Sequence, residues 1–217
     1  MARWAWQPPA ASVVCVCGVR GAGKSFWARD YMRPVVRVAA WDVLDEYGTD
    51  LGGERIPAGE FLARAKAGEF RTGIVRLSIA APDEWEGDAL EAGFDDFCRA
   101  VALVGNLLAV VEEVSLVASP STVPPLFKRL LAVGRHFGVS LLIVGQRFAQ
   151  FPRLATGMAS RIVAFRQSEP SDVADLGKRL GEIDGRDAGE IARTLPPHHR
   201  LEWRPETGAQ LLPPLGA

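Results

Sequence analysis

The stretch Val13-Val14-Cys15-Val16-Cys17, followed by Gly18-Val19-Arg20-Gly21-Ala22-Gly23-Lys24-Ser25, decides how the rest of the chain is read. Five continuous apolar residues, β-branched at three places, suit a strand buried on both faces, as in the interior of a parallel sheet. The next eight fit the phosphate-loop pattern G-x-x-x-x-G-K-[S/T], known as Walker A. Small residues let backbone N–H groups curl into an anion nest, and the N-terminus of the following helix adds partial positive charge. That helix is predicted over Lys24–Met32, ending before Pro34. Gly18 to Ser25, with Phe26 after them, are therefore the candidate nucleotide-binding residues. Lys24 is suited to the β- and γ-phosphates of ATP, and the Ser25 hydroxyl to Mg²⁺.

Working outward, strands and helices alternate. Strands are predicted at Val35–Ala39, Ile74–Leu77, Leu107–Val111, Val139–Val144 and Arg161–Phe165, with a last short one at Arg200–Trp203. Helices are expected at Gly59–Ala67, inside a Gly-rich charged stretch from Asp42 to Arg71, and at Leu90–Val104, Leu126–Phe137, Ser171–Leu180 and Ala188–Leu195. The segment Ser119–Pro125 is a Pro/Ser/Thr loop. Such alternation implies an α/β fold, a mostly parallel central sheet with helices on both faces, in three layers. It is read as one domain over 1–217, with a core of about 12–204 and a loosely ordered or docking tail at 205–217.

Two further elements carry chemistry. Leu107-Leu108-Ala109-Val110-Val111-Glu112-Glu113 delivers two carboxylates to the C-terminal edge of a buried strand, where ligands gather in parallel sheets. Glu112 is the candidate Mg²⁺ ligand and Glu113 the candidate base for an attacking water. Gln146, closing the Val139–Val144 strand at the same edge, is placed to sense a γ-phosphate or orient that water. Arg135, in the last turn of the preceding helix, could neutralise charge on a transferring phosphoryl group, or could simply favour the helix dipole.

With 48% apolar and 24% charged residues, the composition is that of a globular protein with a large core. No run of about eighteen apolar residues suggests a membrane span, and Met1–Pro9 lacks the apolar region of a secretory signal. Cys15 and Cys17 read as inert core thiols, the alternative being half of a metal site, and His198–His199 beside Pro196–Pro197 as an exposed turn. Charge is segregated. Asp83–Glu113 holds nine acids against Arg99, whereas Pro124–Arg166 holds seven bases and no acid (Lys128, Arg129, Arg135, Arg147, Arg153, Arg161, Arg166). The basic segment is a candidate polyanion face.

Taken together, the phosphate loop, the carboxylate pair and Gly134-Arg135-His136-Phe137-Gly138 leading through an apolar strand to Gln146-Arg147 resemble the FtsK–HerA superfamily of DNA-pumping ATPases, across roughly residues 12–180. The Arg161–Phe165 strand followed by Ser171-Asp172-Val173 is similar to that group as well. The resemblance implies a RecA/ASCE-like P-loop NTPase, with Gln146 closing the strand after the carboxylates and Arg135, eleven residues earlier, acting as a finger in trans. In its compact size the chain is most similar to the genome-packaging ATPases of tailless, membrane-containing double-stranded DNA viruses. That likeness implies a homo-oligomeric ring, usually a hexamer, gripping the phosphate backbone of double-stranded DNA without sequence preference. It further implies capsid or portal partners, and action in the host cytoplasm or at the virion's packaging vertex. Two departures stand out: Glu112 where Asp is usual, and Gly145 where Thr is frequent. The alternatives are an assembly or secretion ATPase of the filamentous-phage type, which typically carries a membrane segment, and a small-molecule P-loop kinase, which needs an acceptor pocket rather than a Glu-Glu pair beside a strand-end Gln.

Overall fold

The structure, a computed structural model, describes residues 12–82 and 87–215. The Met1–Pro9 reading, the first acids of the Asp83–Glu113 run and the end of the tail lie outside those residues.

The first strand, β1 (Val13–Cys17), runs into the Gly18–Gly23 loop and helix α1 (Lys24–Met32). Next come β2 (Arg37–Trp41), the short α2 (Gly48–Leu51), β3 (Glu54–Pro57), α3 (Ala58–Lys66), β4 (Val75–Ala80), α4 (Asp88–Val104) and β5 (Leu107–Val111). After a long loop follow α5 (Pro125–Val133), β6 (Val139–Gly145), α6 (Arg153–Met158), β7 (Arg161–Ala164) and α7 (Pro170–Leu180). A two-stranded ribbon, β8 (Glu182–Ile183) and β9 (Arg186–Asp187), leads to α8 (Ala188–Thr194) and the hairpin β10 (Arg200–Arg204) and β11 (Gly208–Leu212).

The main sheet has the order β11-β10-β7-β1-β6-β5-β2-β4-β3, parallel throughout except for the terminal hairpin. Alternation along β1 divides the core. Val14 and Val16 face one side, with Trp27, Ala28 and Met32 of α1 and Leu51 of α2. Cys15 and Cys17 face the other, covered by α3 to α8. The fold is thus α/β with helices on both faces of a mostly parallel sheet. Burial pushes the Cys15 thiol up to about 12 and Cys17 well above its ordinary value, which disfavours the thiolate a metal would need.

On the larger face, Trp41, Phe94, Phe97, Phe61 and Phe127 interlock, with Trp41 and Phe94 edge-to-face at 5.4 Å. Fully burying an aromatic side chain stabilises by about 1.5–3 kcal/mol. The cluster therefore clamps β2 to α4 and holds the C-terminal tip of β2 beside that of β5.

Several elements differ from the sequence expectations. The second strand is displaced to Arg37–Trp41 because Trp41 belongs in the core, and the third begins after Ile74, which is 69% exposed. An edge strand, β3, occupies part of the stretch expected to hold one helix; its charged Glu54-Arg55 and terminal Pro57 hide it. The expected helix Leu126–Phe137 stops at Val133 and tightens into a 3₁₀ turn, Gly134–Phe137. Within the tail, Gly208–Leu212 forms β11, paired to β10. No helix among the described residues is long and apolar enough to cross a membrane.

Candidate functional site

The phosphate loop hangs from the tips of two strands. Gly18 N donates to Gln146 O (3.1 Å) beyond β6, and Val19 N to Arg166 O (2.9 Å) beyond β7. A Cβ on Gly18 would stand 2.6 Å from Phe165 Cβ, so glycine is what lets the loop lie this close. Gly23, at φ 111°, takes a left-handed turn and sets the axis of α1. Lys24 is buried, its Nζ donating to Val19 O at 3.3 Å, so the ammonium is folded across the loop it belongs to. Ser25 lies partly exposed in the first turn of α1.

Because β6 is inserted between β1 and β5, the three C-terminal tips stand side by side at the ordinary strand spacing of about 4.8 Å. Gln146 is therefore central, with the phosphate loop on one side and the carboxylate pair on the other. Its Nε2 donates to Glu113 Oε1 at 2.8 Å. Glu113 sits at φ 46°, ψ 58°, a left-handed conformation uncommon outside glycine, as the chain turns sharply out of β5. Such strain persists where surrounding structure enforces it and clusters at functional sites.

Glu112, next along the chain, is buried on the α1 side of the sheet, near enough to Lys24 to feel its charge. It is 2% exposed, and its Oε2 accepts a hydrogen bond from the Tyr47 hydroxyl. Burial, reinforced by the Glu46 and Glu113 carboxylates, raises its pKa from 4.5 to about 7, although the Tyr47 bond and Lys24 act in the opposite direction. Tyr47 is in turn held by Asp42, whose carboxylate accepts from Glu46 N (2.8 Å), Tyr47 N (3.0 Å) and Ser78 Oγ (2.9 Å). Asp42 and Tyr47 were not singled out from the sequence. One signal existed: Asp42 follows β2, so it too is a carboxylate at a parallel strand's C-terminal end.

Arg135 is elsewhere. It is exposed on the 3₁₀ turn before β6, at the sheet edge opposite the phosphate loop. Seven strand residues at about 3.3 Å each put some 23 Å between the ends of β6. Of the basic segment, Arg147 is engaged by Asp172 (3.1 Å) and Arg161 by Glu202 (2.6 Å), while Lys128, Arg129, Arg153 and Arg166 are exposed. Gly145 is explained by packing: a Cβ there would meet the Phe151 ring at 2.9 Å.

A solved structure shares this fold. The fold is that of the genome-packaging NTPase B204. With the B204 of Sulfolobus turreted icosahedral virus 2 bound to AMPPCP, the TM-score is 0.73 at 18% identity, covering 96% of this chain and 100% of B204. VirB4 of Thermoanaerobacter pseudethanolicus is similar at a TM-score of 0.59 and 12% identity, over 94% of this chain and 89% of that one. In sequence, Protein P9 of Pseudoalteromonas phage PM2 is 28% identical over 136 residues, which is 60% of this chain and 57% of P9. The match thus spans less than two thirds of P9. No family profile matches the chain. A likeness at 18% identity shows the fold and leaves each residue's role to the local geometry.

That geometry suits a magnesium nucleotide. Among the described residues no group of three or more His, Cys, Asp or Glu is gathered to cage a metal. Mg²⁺ does not require one, since it binds through one or two protein oxygens together with substrate phosphates and water. The Ser25 hydroxyl and the Glu112 carboxylate fit that donor set.

Proposed function

We propose that the protein is an ATP-hydrolysing motor that moves double-stranded DNA, and that it packages a viral genome. The observation that carries this reading is the Glu113–Gln146 hydrogen bond, held on neighbouring strand tips beside the phosphate loop. A phosphate binder needs only the loop. A hydrolase also needs a base for water and a group that registers the γ-phosphate.

The backbone amides of Gly18 to Ser25 cradle the phosphates, and Lys24 turns from Val19 O toward the β- and γ-oxygens. Ser25 and Glu112 would hold Mg²⁺, which would supply positive charge to the phosphates. Glu113 takes the proton from the attacking water. Gln146 carries two amide donors, so it can keep Glu113 in place and bond a phosphate oxygen at once. Arg135 cannot serve its own site across the length of β6; it serves the next subunit's. A head-to-tail contact between opposite ends of the strands is heterologous, the kind of contact that builds a ring where its rotation closes. Lys128, Arg129, Arg153 and Arg166 supply exposed charge for a DNA backbone, gripped without base reading.

The likeness to B204, a packaging NTPase, over its full length supports packaging, as does the weaker match to a phage protein. The VirB4 likeness keeps a secretion-type ATPase as the second reading. Assembly of the motor in the host cytoplasm, or at the packaging vertex with capsid or portal proteins, follows from the packaging role. The test is ATP turnover with and without double-stranded DNA. Stimulation by duplex, abolished in Glu113→Gln, is expected. Turnover indifferent to DNA would overturn the motor.

A further inference from the structure

A chain of polar side chains crosses four neighbouring strands, β3, β4, β2 and β5, and ends on Glu112. Asp42 follows β2 directly and Glu112 follows β5. The two stand side by side because Trp41 pairs with Val111, and Glu112 N donates to Trp41 O at 3.1 Å. The Asp42 carboxylate gathers Glu46 N and Tyr47 N, which folds the chain after β2 into a turn and packs the Tyr47 ring on the α1 side of the core. Ser78, opposite Arg55 in the register of β4 and β3, donates to the same carboxylate and accepts from Arg55 Nη1 at 2.7 Å. Arg55 also stands 3.6 Å from Asp42, so the buried charge is paired. Asp42 and Tyr47 are fully buried, and Ser78 and Glu112 are 1% and 2% exposed. Among the described residues, none of the buried side-chain atoms lacking a partner belongs to these four. A polar network this deep and this fully bonded is rigid.

We infer that Tyr47 is a positioning residue for Mg²⁺: its hydroxyl holds Oε2 of Glu112, which fixes the carboxylate and leaves the other oxygen, Oε1, for the metal. A glutamate has three side-chain torsions, and freezing them when a ligand arrives costs affinity. With one oxygen already bonded, that cost falls on folding instead. Packing does not explain the hydroxyl, because a phenylalanine ring would fill the same space. What the phenol oxygen adds is the bond to Glu112. Groups that orient a metal ligand from behind typically change metal affinity by about 10- to 100-fold when removed.

The inference rests on Glu112 being a Mg²⁺ ligand, and the test separates the two. Affinity for ATP is measured with Mg²⁺ and with EDTA on wild type, Tyr47→Phe, Glu112→Gln and the double variant. ATP in EDTA reports the phosphate loop without the metal, so the ratio of the two affinities isolates the metal's share. Tyr47→Phe is expected to lower that ratio by about 10- to 100-fold and to leave the affinity in EDTA unchanged. In the Glu112→Gln background the same substitution should change the ratio no further, since Tyr47 acts through the carboxylate. Equal losses with Mg²⁺ and with EDTA, or the same effect in both backgrounds, would make the role structural and overturn the inference. Ser78→Ala removes a more distant link and should lower the ratio in the same direction by less. Should Tyr47→Phe not fold, an unchanged ratio in Ser78→Ala overturns the inference on its own. A ratio that responds to Glu112→Gln but not to Tyr47→Phe removes only this inference. A ratio indifferent to Glu112→Gln removes the metal assignment, and the role of Tyr47 with it.

Discussion

Replacing Glu112 by Gln should remove a pH dependence from the stability of the nucleotide-free protein. In the folded chain this carboxyl is almost wholly buried, and its pKa is raised from 4.5 to about 7, chiefly by burial. The unfolded chain releases the proton near 4.5, the folded chain near 7. Between those values the folded state binds more protons, so stability falls as pH rises. The contribution of Glu112 is complete below about pH 4.5 and gone above about pH 7. At about 1.4 kcal/mol per unit, the shift corresponds to about 3 kcal/mol. For a domain of this size that is about 6–12 °C in Tm. Gln keeps the shape and can still accept from the Tyr47 hydroxyl, but it does not titrate. Thermal unfolding of wild type and Glu112→Gln from pH 5 to 8 should therefore show the two curves diverging, wild type losing ground toward pH 8. Other titrating groups cancel in the difference. Parallel curves would refute the burial argument.

Three other perturbations probe different parts of the site. Gly18→Ala drives a Cβ into Phe165 at 2.6 Å and should cost about 1–3 kcal/mol by overpacking, with weaker tripolyphosphate binding; an unchanged Tm and affinity would contradict the close approach. Arg135→Ala should retain nucleotide binding and lose turnover by about 10³-fold or more. Mixing that variant with Lys24→Ala protomers should restore part of the turnover, because one lacks only the donated arginine and the other only its own cradle; no rescue would argue against an arginine acting between subunits.

The strands to which the phosphate chemistry is assigned were legible because each is local. β1 with its loop, and β5 with Glu112-Glu113, are uninterrupted apolar runs ending in groups of distinctive chemistry, and the parallel sheet brings such ends to one edge. What escaped the sequence depends on residues far apart in the chain. Tyr47 and Glu112 are 65 positions apart and meet only because β2 pairs with β5. His198 reaches Gly23, and Leu215 packs on the α1 side of the core, through the return of the terminal hairpin along β7. The segment read as a loose or docking tail contains Gly208-Ala209-Gln210, which has no β-branched or aromatic residue and so no strong strand signal of its own. Its pairing is imposed by β10. On spacing alone Arg135 read as a helix-end charge and only the resemblance made it a finger; the structure places it at the opposite end of β6 from the phosphate loop.

Displacement of a third strand from a DNA triplex tests the motor most directly, since a translocating protein strips the oligonucleotide as it advances along the duplex. With ATP and Mg²⁺ the wild-type protein should release the third strand. Glu113→Gln, or wild type with a non-hydrolysable analogue, should leave it bound. Sustained, duplex-stimulated ATP turnover with the triplex intact would contradict translocation.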